Sequence, residues 1–73
     1  MPGLYPNPGN NQLYITGAVG SNLQIWNTSG QLLASYLIET PKQSLAVNQL
    51  PAGLYLLQFE REGQHYWTRW MKL

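Results

Sequence analysis

Cysteine and aspartate are both missing from this chain of 73 residues, and histidine occurs once, at position 65. Without cysteine no disulfide can staple a small fold. No set of His, Asp and Glu falls at metal-ligand spacing either, so stability must come from packing and backbone pairing. The same shortage bears on catalysis. A Ser-His-acid triad would have to enlist Glu39, Glu60 or Glu62, with serines that lie in predicted turns or strands. A lone His65, flanked by Gln64 and Tyr66, holds no metal. The expected catalytic, metal and cofactor residues are none.

Charge of either sign is also scarce. Lys42, Arg61, Arg69 and Lys72 stand against the three glutamates for a net of +1, and nothing here steers nucleic acid. No apolar run exceeds four residues, against roughly 20 for a membrane-spanning helix. No basic start followed by an apolar stretch reads as a signal peptide. Met1-Pro2-Gly3 leads at once into domain-like sequence, the expected look of a piece of a longer protein. Residues 1–73 are expected to form one domain, and a chain this short removes only about 60% of its unfolded surface from water.

What is present is a period of two. Leu13 and Ile15 alternate with Tyr14 and Thr16, and Leu23 and Ile25 alternate with Gln24 and Trp26, as in half-buried strands. No window long enough for a helix shows the three-to-four spacing. Between the two runs, "TGAVGSN" supplies Gly17 and Gly20 for a reversal. Ser29-Gly30 in "NTSGQ" predicts a tight hairpin. The run that follows, "LLASYLIE", has apolar residues at both parities, so it is either a strand covered on both faces or one carrying a bulge. Thr40-Pro41-Lys42 ends it.

"QSLAVNQL" puts Leu45 and Val47 on one face, and Pro51-Ala52-Gly53 predicts a turn. "GLYLLQFER" has apolar residues on both faces, Tyr55, Leu57 and Phe59 against Leu54 and Leu56, as a central strand would. Glu62-Gly63 turns it into "QHYWTRWMKL". At the start, Pro6 and Pro8 stiffen "LYPNPG", so that Leu4-Tyr5 can lie along a sheet edge and then turn. Asn7, Asn10 and Asn11 can bond the backbone where no strand pairs. The fold predicted is all-β, a small antiparallel Ig-like sandwich of six to eight strands.

Taken in order, "YPNP" leading into "NNQLYITG", "IWNTSGQLL", "LAVNQLPAGLYLLQFEREGQ" and the terminal "RWMKL" resemble the type A C-terminal sorting domain of the type IX (Por) secretion system of Bacteroidota. The resemblance covers nearly the whole chain. It implies a non-enzymatic address domain. Cargo precedes it covalently, crosses the periplasm, and is recognised by the outer-membrane translocon and its cargo-handling proteins. The cargo is then secreted or held at the cell surface. The family's motifs fall on Tyr5, Pro6, Asn7 and Pro8, on Gly30, on Leu50, Gly53 and Tyr55, and on Lys72, with Arg69 before it. One departure is that the family's tail commonly carries more than one lysine.

The last strand is a candidate for direct recognition, either as an open edge or through pairing with an incoming strand. Arg69 and Lys72 are expected as exposed cations, either attracting an acidic receptor or simply solvated. Trp67 and Trp70 fall on opposite faces by alternation, which favours core or interface roles over a flat row for stacking sugars. A rival function is an Ig-like module binding carbohydrate or protein through exposed aromatics, and an inert spacer is a third. Edge strands also make self-association between copies plausible.

Overall fold

The alternation of apolar and polar residues becomes two layers of strands facing each other across one core. The structure, a computed structural model, describes residues 2–7 and 9–73; Pro8 lies outside the described residues. Seven strands follow in chain order: β1 Gly3–Tyr5, β2 Gln12–Thr16, β3 Asn22–Asn27, β4 Leu32–Leu37, β5 Lys42–Ala46, β6 Gly53–Arg61 and β7 Gln64–Lys72. All pair antiparallel, in a three-stranded sheet of order β1-β2-β5 and a four-stranded sheet of order β4-β3-β6-β7. The architecture is the small sandwich predicted, and the Leu4-Tyr5 lead-in is its edge strand β1, seated on β2.

Each inward parity fills the space between the layers. Leu13, Ile15, Leu45 and Val47 come from the three-stranded side, and Leu23, Ile25, Tyr55, Leu57, Phe59 and Trp70 from the other; all are buried. Ala18 and Ile38 close the end where the chain crosses between sheets. There Gly20 N donates to Ile38 O at 2.9 Å and Ile38 N to Ser21 O at 2.9 Å, so the two crossings brace one another. The reversal at Gly17 to Gly20 therefore changes sheet instead of closing a hairpin, with both glycines at positive φ, 66° and 87°.

The ambiguous run resolves as a bulge. Ile25 pairs with Ala34 but Trp26 pairs with Leu32, which leaves Leu33 as the extra residue. Ala34 and Tyr36 then face the core, while Leu32, Leu33 and Leu37 are exposed on a strand that, among the described residues, has no neighbour on its far side. Two apolar parities coexist because β4 is a bulged edge strand.

Candidate functional site

The strand registers bring nearly every motif position to one end of the sandwich. Asn27, the last residue of β3, pairs with Tyr55, and Tyr55 pairs with Trp70. Gly53 pairs with Lys72. The β3–β4 hairpin carrying Gly30, the turn carrying Leu50, the start of β6 and the end of β7 thus share this end. Pro6, Asn7 and the residues from Gly9 to Asn11, between β1 and β2, lie there as well.

At the hairpin tip, Asn27 Oδ1 accepts from Ser29 N at 3.1 Å and Gln31 N at 2.9 Å. Gly30 N donates to Asn27 O at 3.1 Å, a closure that needs the positive φ of 88° found at Gly30.

The N-terminal segment is strapped along the outer edge of β7. Asn7 Nδ2 donates to Arg69 O at 3.2 Å, and Met71 N donates to Asn7 Oδ1 at 3.1 Å. Gly9 continues the ladder: its N donates to Met71 O at 2.8 Å, and Leu73 N donates to its O at 2.8 Å. Gly9 and Lys72 form a short parallel bridge. Exposed strand edges attract other strands. From Arg69 to Leu73 that edge is already taken by the chain's own lead-in.

A line of aromatic contacts runs beneath the strap. Trp70, fully buried, donates from Nε1 to Pro6 O at 2.8 Å. Its ring lies 6.2 Å from that of Tyr55, whose hydroxyl donates to Pro51 O. One buried pair therefore ties the lead-in to the turn before β6. A side chain at Gly9 would put its Cβ 2.7 Å from Trp70 Cζ2 and 2.9 Å from Pro6 O, so only glycine fits the strap at this point. At the flank, Tyr5 stacks on Tyr14 at 5.3 Å, and the Lys42 ammonium sits 5.8 Å and 5.2 Å from the two ring centres.

Measured against the sequence reading, Tyr5, Pro6, Asn7, Gly30, Leu50, Gly53, Tyr55, Arg69 and Lys72 all lie at or beside this end. The expectation of two exposed cations is corrected. Arg69 is exposed, but Lys72 is only 7% exposed because its parity turns it inward opposite Gly53. Trp70 takes the core role expected of it, while Gly9 and Asn27, which also hold the end together, were not singled out. The signals were the glycine directly after Pro8 and the Asn-x-Ser-Gly spacing of an Asx turn.

A family model described as "Secretion system C-terminal sorting domain" matches residues 3–72. The chain belongs to that family. The resemblance carried by its motifs is thereby borne out over almost the full length of this sorting domain. No match is found among curated proteins. Among solved structures, the sorting domain is similar to PorZ, an essential bacterial surface component of the type-IX secretion system of human oral-microbiomic Porphyromonas gingivalis. The two share 20% identity with a TM-score of 0.82 over 99% of this chain, which spans 11% of that one. That similarity is one of fold. Membership of the family connects the chain to type IX secretion and to proteins carried to the cell surface or beyond.

Proposed function

We propose that this sorting domain is a non-enzymatic export module at the C-terminus of a larger secreted protein. It directs the preceding cargo from the periplasm across the outer membrane through the type IX translocon. The face presented to the machinery is the end of the sandwich built by the strap and the end of β7. The observation that carries this reading is the convergence itself. Motif positions as far apart in sequence as Tyr5, Gly30, Tyr55 and Arg69 come together at one end, and bonds from Asn7 to β7 join the first segment to the last. Pro8, also in the motif, lies outside the described residues.

The reading predicts that fusing residues 1–73 to a fluorescent reporter already sent to the periplasm moves the reporter outside a type IX-competent cell. Fractionation and protease accessibility measure this. Retention of the fusion in the periplasm overturns the proposal.

A further inference from the structure

The outward face of the four-stranded sheet carries a second feature, away from the strapped end. Registers align two rows across all four strands: Ser35, Gln24, Gln58 and Trp67 in one, Leu37, Asn22, Glu60 and His65 in the next. Their backs are the buried Leu23, Ile25, Leu57 and Phe59, so these eight side chains face solvent together. Strands stand about 4.8 Å apart and alternate residues about 6.8 Å apart, so the band is roughly 14 Å long and two rows deep. A shallow depression of about 370 Å³ opens among Asn22, Gln24, Ser35, Gln58, Glu60 and His65.

The chemistry of this band is unusual for a solvated face. It holds three primary amides, a hydroxyl, an imidazole and one carboxylate, with neither Lys nor Arg among them. Gln58 Nε2 and His65 Nδ1 are hydrogen-bonded at 2.8 Å across the β6–β7 pair. Among the described residues, the side chains of Asn22, Gln24, Ser35 and Glu60 make no hydrogen bond within the chain. Trp67, 52% exposed, closes one end of the first row.

We infer that this band is a binding site for a neutral saccharide. Each sugar hydroxyl both donates and accepts, and each primary amide offers both partners on one planar group. The C–H face of a pyranose is apolar and stacks on an indole that otherwise stays wet. The band's own charge is the single Glu60 carboxylate, and Arg69, two residues beyond Trp67 on the same face, offsets it, so no net charge selects an ionised sugar and neutral ones remain. The site lies on the sheet face while the strap lies at the sandwich end, so the inference does not rest on export. A sugar held here would anchor the domain at a glycan-bearing surface.

The test uses the 73-residue chain titrated with maltotriose, chitotriose and mannotriose, following tryptophan fluorescence and backbone and side-chain amide NMR shifts. Saturable binding of at least one is expected, with shifts at Gln24, Gln58, Asn22 and the Trp67 indole. Trp67→Ala should weaken it about tenfold, and Gln58→Leu a few fold. Melting curves check that each variant still folds, and Gln58→Leu serves should Trp67→Ala prove unstable. No saturable change up to about 20 mM for any of the three sugars overturns the inference. So does binding that is unaltered in the variants, or shifts confined to the strapped end.

Discussion

Asn7 does with one side chain what a strand residue does with its backbone, giving a donor to Arg69 O and an acceptor to Met71 N. Aspartate keeps the acceptor but places a second oxygen against a carbonyl. Asn7→Asp should therefore destabilise at least as much as Asn7→Ala, which loses about 1–2 kcal/mol in urea unfolding. Gly9→Ala must move Trp70 or the Pro6 carbonyl and should cost about 1–3 kcal/mol, with faster amide exchange at Met71 and Leu73. The tryptophans separate in the same way. Trp70→Phe orphans Pro6 O, whereas Trp26 Nε1 is buried with no partner among the described residues, so Trp26→Phe removes an unsatisfied donor and should cost clearly less. Local pattern disclosed the stiffness of Tyr5-Pro6-Asn7. It could not disclose the partner, because Asn7 and Arg69 are 62 residues apart and no periodicity links them.

Elements with one buried face were legible in the sequence because burial writes a period of two. Leu13 and Ile15, and Leu23 and Ile25, occupy the inward parities expected of them, and of the two apolar faces of β6 it is Tyr55, Leu57 and Phe59 that turn inward. β4 was legible only as an ambiguity, since a bulge at Leu33 shifts the parity midway and a lone sequence does not place such a shift. The β6–β7 turn was legible as a position but not as a strain. Glu62 takes φ of 53° and Gly63 of 80° in a two-residue loop, the pattern that favours Asn-Gly. Glutamate in that left-handed region is disfavoured, and its contact with Arg61, 3.9 Å and exposed, offsets little. Glu62→Asn should raise stability by about 0.5–1 kcal/mol, read as a higher midpoint in thermal unfolding.

The whole molecule separates two surfaces: an end assembled from distant segments and a sheet face assembled from neighbouring registers. An end built this way exists only when the sandwich is folded, because no single segment contains it. A chain of this size without disulfides rarely holds more than about 3–5 kcal/mol of stability. Leu57→Ala, in the middle of the core and not itself a motif position, costs about 2–5 kcal/mol and leaves a large unfolded fraction. Export of the reporter fusion should fall with it although no motif residue has changed. Arg69→Glu does the converse, since its exposed side chain reverses charge at the strapped end while the carbonyl that binds Asn7 stays in place. Its melting curve should match the parent's while export drops. Export that survives Leu57→Ala at full level would mean that a linear stretch is read instead of a folded end. Export indifferent to Arg69→Glu would move recognition off the exposed flank of β7.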